Sequence, residues 1–131
     1  MTAIAGKTVL LTGASRGIGT FIARALALQG ATVVGVSRSS EGLENICSEI
    51  NNQGGTAFNI PFDITKLTEL INLVDQVNQL VGGVDIVINN AAIEKFRPFQ
   101  DYTAEDIESI LTLNLQAPMQ LTRLLLPDMI K

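Results

Sequence analysis

The chain has 131 residues and a formal net charge of −4 from nine basic and thirteen acidic side chains; 47% of it is hydrophobic and only 17% charged. That suffices for one domain with a sizeable core but not for two, and without a basic cluster a nucleic-acid or anionic-membrane role has little electrostatic support. With no histidine and a single cysteine, Cys47, it holds no ligand set for zinc and cannot close an intrachain disulfide.

Four β-branched apolar runs alternate with longer segments of helical period. The first strand is expected over residues 8–11, followed by a glycine-rich turn and a helix over 17–29 that stops at Gly30. A strand over 32–36 precedes a helix over 40–51, which ends in the breaker Asn51-Asn52-Gln53-Gly54-Gly55. On that helix Cys47 shares a face with Leu43, Ile46 and Ile50, so core packing explains it better than redox chemistry. The third strand spans 56–60. The third helix, over 65–80, carries an apolar stripe that includes Leu67, Leu70, Ile71, Val74 and Val77, and it stops at Gly82-Gly83. A fourth strand is expected over 84–88. The fourth helix starts at Thr103, with Asp106 completing a capping box and Tyr102 and Ile107 placed for a hydrophobic staple. It continues through Ile110, Leu111, Leu115, Met119, Leu121, Leu124 and Leu125, apolar over more than one face.

Strand starts recur about every 25 residues, the period of a βα unit rather than of a solenoid repeat. Right-handed crossovers then give a doubly wound parallel α/β sheet with strand order 3-2-1-4. Nothing at the N-terminus reads as a signal peptide, and the longest uncharged stretches, near 25–37 and 109–122, are too short and polar to span a bilayer. A cytoplasmic protein is expected.

The stretch Thr12-Gly13-Ala14-Ser15-Arg16-Gly17-Ile18-Gly19 joins the first strand to the first helix. Such a turn leaves backbone N–H groups facing outward at the positive end of a helix dipole, an anion site that most often takes a pyrophosphate. Gly13 permits the tight turn, Gly17 the close approach of a ligand, and Gly19 the close packing of helix on strand. A tight turn without a ligand is the alternative.

Four signals in order, this turn, Asp63-Ile64-Thr65, Asn89-Asn90-Ala91-Ala92 and Asn114, resemble the short-chain dehydrogenase/reductase family. The resemblance covers nearly the whole chain but only the N-terminal half of that family's Rossmann-like fold. It implies one NAD(P)-binding domain over residues 1–131 and hydride transfer between a nicotinamide dinucleotide and an alcohol or carbonyl. It places the cofactor on Gly13, Ala14, Ser15, Arg16, Gly17, Ile18 and Gly19. Asp63 and Ile64 then meet the adenine, and Asn90 and Ala91 the ribose. Asp63 is alternatively a helix N-terminal charge. Asn89 is read as a structural tie between loops. Ala92 stands where the family usually has glycine, so its methyl group narrows the nicotinamide end. Asn114 matches the asparagine that holds a water in the family's proton relay; a structural, helix-kinking amide is the alternative.

Ser37-Arg38-Ser39 at the end of the second strand lacks the acidic residue that would bind a ribose 2′-OH. Arg38, with Arg16, would instead grip a 2′-phosphate, which favours NADP over NAD unless both arginines are solvated surface residues. The family's chemistry also needs a serine, a tyrosine and a lysine four residues after it. The only tyrosine is Tyr102, and Asp106 stands four residues on. The catalytic set is therefore expected outside these residues, with Asn114 the one catalytic candidate, no metal, and no turnover by this half alone. The fourth strand would leave an open edge, and homo-oligomerisation through it or through Ile110, Leu111, Leu121 and Leu125 is expected. The rival reading is a stand-alone, non-catalytic nucleotide- or partner-binding module. A receiver domain, a methyltransferase and a P-loop NTPase each need residues that the first two strand ends lack.

Overall fold

The computed structural model describes residues 4–131. The elements run β1 (Thr8–Thr12), α1 (Ile18–Leu28), β2 (Thr32–Ser37), α2 (Ser40–Asn52), β3 (Thr56–Pro61), α3 (Leu70–Val81), β4 (Ile86–Ile88), α4 (Ala104–Leu111) and α5 (Ala117–Met129). All strand pairs are parallel, in the order β3-β2-β1-β4, as the βα period requires. Among the described residues no helix is long and apolar enough to cross a membrane.

Alternation along β1 and β2 splits the core into two layers. Val9, Leu11 and Val33 pack against Ala23 and Leu26 of α1 and Leu43, Ile46, Cys47 and Ile50 of α2. Leu10, Val34 and Val36 face the other way, onto Leu70, Leu73 and Val77 of α3 and Ala117, Leu121 and Leu125 of α5. Strands covered by helices on both faces need this near-continuous apolar composition. Burial also pushes the Cys47 thiol up to about 11, so it stays protonated and inert.

Three elements differ from their sequence reading. Helix three begins at Leu70, after a separate 3-10 turn over Leu67–Glu69. Strand four is only three residues long. Before it, the Asp85 carboxylate accepts the Thr8 backbone N–H at 2.8 Å, so a side chain takes that donor. The fourth helix is two helices, α4 and α5, joined by a π-helical turn over Thr112–Gln116.

This last segment also corrects the expected outward face. Leu121 and Leu125, assigned there to an intermolecular surface, are buried against the sheet, four and eight residues on from buried Ala117. The face that looks outward carries Ile107, Leu111, Leu115 and Met119, four residues apart. The staple is not formed as expected either. Ile107 remains exposed, while the Tyr102 ring packs on Phe99 at 5.1 Å and its hydroxyl donates to the Lys95 carbonyl. The capping box between Thr103 and Asp106 is present.

Because Leu121 lies in the core, Leu121→Ala should cost about 2–5 kcal/mol, whereas Leu111→Ala should stay within about 0.5 kcal/mol. Urea unfolding of the two variants measures the difference. Leu125→Asp should unfold the chain rather than merely separate copies of it.

Candidate functional site

The chain leaves β1 to build β2 and β3 on one side and returns to build β4 on the other. At that switch point, beyond the carboxyl ends of the strands, the crossovers part and leave a crevice. Here it is a cleft of about 1170 Å³, bounded by the turns after β1, β2 and β3, the segment after β4, and α4.

Thr12, the last residue of β1, organises its floor. The side chain is buried, and its hydroxyl oxygen accepts the N–H groups of Asn90 at 3.1 Å and Ala91 at 3.0 Å. The Asn90 amide answers by donating to the carbonyls of Thr12 and Gly13, both at 3.2 Å. β1 and the segment after β4 are thereby locked side by side.

The approach is close enough that only glycine fits. Gly13 has φ +67°, and a Cβ there would sit 2.9 Å from the Ala91 Cα. At Gly19 a Cβ would lie 1.9 Å from the Gly13 carbonyl oxygen, so α1 begins directly against the turn. The N–H groups of Gly13 and Ala14 both point at the Val36 carbonyl, at 2.8 and 3.4 Å. Those of Ser15, Arg16 and Gly17 have no protein acceptor among the described residues, and these three residues line the cleft. A helix start with free donors is an anion site.

Ile18 and Gly19 complete this wall, with Arg38 beyond β2, Asp63 and Ile64 beyond β3, and Asn90 and Ala91 beyond β4. Ala14 is the exception: its methyl group belongs to the core under α2. Arg38 sits on a braced turn, in which the Ser37 hydroxyl accepts the Ser39 N–H and Ser39 caps α2 through the Gly42 N–H. Burial pushes the Asp63 carboxyl up, but the Thr65 hydroxyl and N–H, with the Arg38 and Lys66 charges, hold it below the ordinary carboxylate range. It is ionised beside Arg38 at neutral pH.

Asn114 lies in the π-helical turn, outside the cleft lining. Its amide binds both backbone groups of one residue: it accepts the Ile93 N–H at 2.9 Å and donates to the Ile93 carbonyl at 2.8 Å. Asn89 reaches the Thr122 hydroxyl at 3.3 Å, so it ties β4 to α5, while Asn90 carries the loop-to-loop tie. Sequence reasoning missed Thr12 as the junction, although a buried polar residue ending an apolar strand was a signal. It also missed the α4 wall, where Glu105, Glu108 and Ser109 face the cleft.

Thr12→Val should strand the Ala91 N–H, at about 1–3 kcal/mol, while the Asn90 N–H keeps the Ile88 carbonyl at 3.1 Å; Thr12→Ser, which keeps the acceptor, should cost well under half as much. Urea unfolding, with exchange rates of the Asn90 and Ala91 amides, checks both variants.

The sequence profile of the family described as short chain dehydrogenase matches residues 7–131. The ketoacyl reductase HetN of Nostoc sp. strain PCC 7120 is 53% identical over 131 residues, which is all of this chain and 46% of that protein. A metagenomic short-chain oxidoreductase solved with NADP superposes with TM-score 0.91 at 33% identity, covering 98% of this chain and 59% of the other. NAD+-bound xylitol dehydrogenase superposes equally well, TM-score 0.91 at 30% identity, covering 98% and 50%. The chain thus spans about half the length of the curated relatives it matches.

Proposed function

The chain belongs to the short-chain dehydrogenase family, and from that premise we propose that it is the cofactor-binding half of an NADP-dependent oxidoreductase acting on an alcohol or carbonyl. One observation carries the reading. The free N–H groups of the glycine turn and the guanidinium groups of Arg16 and Arg38 line the same cleft, at the switch point of a parallel sheet.

The residues fit the cofactor. Helix α1 offers uncapped donors to a pyrophosphate, and a Cβ at Gly19 would displace the turn that aims them. Arg38, with Arg16 on the same cleft, takes the 2′-phosphate; no carboxylate stands at Ser37-Arg38-Ser39 to repel it. Asp63 and Ile64 receive the adenine, and Asn90 and Ala91 the ribose near the nicotinamide. When bound, the dinucleotide supplies or accepts the hydride. One related structure holds NADP and another NAD+, so the preference here rests on Arg38 and Arg16.

The acid/base step is assigned outside these residues. The Tyr102 hydroxyl already donates to the Lys95 carbonyl, and Asp106, not a lysine, follows four residues on. Asn114 binds the Ile93 backbone through both ends of its amide and so fixes the cleft wall at the turn where the family's relay asparagine stands. A ketoacyl-type carbonyl is the substrate class we favour, supported by the relative of that name. We read the protein as cytoplasmic, with which the single buried, unpaired Cys47 is compatible. The outward stripe Ile107, Leu111, Leu115 and Met119 supports self-association. It equally supports a second reading, a partner-binding module without turnover.

A lost charge-assisted contact costs roughly 1.5–3 kcal/mol, so Arg38→Ala should weaken NADPH binding about ten- to a hundredfold and NADH binding hardly at all. Fluorescence titration of both cofactors measures this, and equal losses would remove the assignment of Arg38 to the 2′-phosphate.

A further inference from the structure

After β4 the chain crosses the cleft wall without regular structure. Among the described residues, the one backbone-to-backbone hydrogen bond within 91–97 runs from the Arg97 N–H to the Lys95 carbonyl. Such a segment should be loose, yet it forms the wall facing the nicotinamide end, where Ala92 and Ile93 line the cleft. Side chains hold it instead. Asn114 clasps Ile93, and the Tyr102 hydroxyl bonds the Lys95 carbonyl at 2.9 Å. Asp106, buried at the start of α4, accepts the Arg97 guanidinium and lies 3.7 Å from the Lys95 ammonium.

The same Asp106 carboxylate accepts the Thr103 backbone N–H at 3.0 Å as half of the capping box. Its two oxygens therefore serve a helix start and two cations of the crossing segment. A helix cap needs neither cation, since an exposed carboxylate completes the box by itself. A largely buried carboxylate with two cationic partners is costly to unpair, so the pairing fixes where 95–97 lie relative to α4.

We infer that Asp106 is a positioning residue that, through Lys95 and Arg97, holds the 92–97 segment against the nicotinamide end of the cleft. The inference rests on the cofactor reading above and assigns the wall opposite Arg38 a device of its own. Arg38 and Asp63 stand beyond β2 and β3, on the far side of β1 from this segment. A fault in the tether should therefore be felt by the nicotinamide half of the dinucleotide and not by the adenosine half.

Two variants separate tether from cap. Asp106→Asn keeps an oxygen for the Thr103 N–H and removes the charge that pairs Lys95 and Arg97. The double variant Lys95→Met/Arg97→Met leaves the capping box whole and removes the tether from the other side. Each should weaken NADPH about three- to tenfold, within the range for residues acting through a packed network, and leave adenosine 2′,5′-bisphosphate binding as it was. Each should also speed hydrogen exchange at the Ile93 and Arg97 amides about tenfold, as expected for local opening, without moving the Asn90 amide held by Thr12. A silent double variant would mean that Asp106 serves the cap alone and would overturn the inference. So would unchanged exchange in both variants, or equal loss of the two ligands. Should the unsubstituted chain bind neither ligand, the cofactor reading fails, and exchange still decides whether the tether exists.

Discussion

Reciprocal hydrogen bonding between Thr12 and the Asn90–Ala91 backbone is the constraint from which the site follows. A hydroxyl oxygen buried at the end of β1 takes two N–H groups from the end of β4, and the Asn90 amide returns two bonds to the carbonyls of Thr12 and Gly13. Parallel strands have no turn of their own to fix their relative ends. Here β4 is a three-residue edge strand, so its ladder alone would be a weak anchor. Side-chain bonds beyond its end extend the junction to where the chain enters the cleft. The closeness they impose is what excludes a Cβ at Gly13 and Gly19 and leaves the next three N–H groups of the turn without a partner.

The cleft built on this junction is chemically asymmetric. Its β2–β3 side presents Arg38 and the ionised Asp63, and the glycine turn adds Arg16. Its α4 side presents carboxylates, Glu105 and Glu108, while the cations nearest to it, Lys95 and Arg97, are taken up by Asp106. The arginines of the lining thus lie on the β1–β2 side of the cleft and its glutamates on the α4 side.

Much of the fold was legible in the chain because βα periodicity is a local signal. The strand order, the two helical layers and the glycine turn could be read from spacing; Arg38 was singled out by its place at the end of β2 and Asp63 by the family resemblance, and both line the cleft. What could not be read depends on partners far apart in sequence. Asn114 was visible as an odd guest in an apolar helix, but the π-helical turn around it pairs with Ile93, twenty-one positions away. Leu121 and Leu125 were assigned to the wrong face because a helix apolar on both sides carries no phase information; α3 and the sheet decide which side is buried. Asp106 was legible as a cap, since Thr103 is three residues away. Its cations lie in a segment without periodicity, where no pattern marks them.

The last helical segment, α4 to α5, has two apolar sides. α5 closes the second core layer together with α3, while the three residues of β4 stay half-buried. One exposed apolar stripe, Ile107, Leu111, Leu115 and Met119, lies on the same α4–π–α5 segment that supplies Asp106 and Asn114. A partner seated on that stripe would press on the elements that clasp Ile93 and Arg97. The outer stripe and the side chains that clasp Ile93 and Arg97 are thus opposite faces of one continuous helical segment.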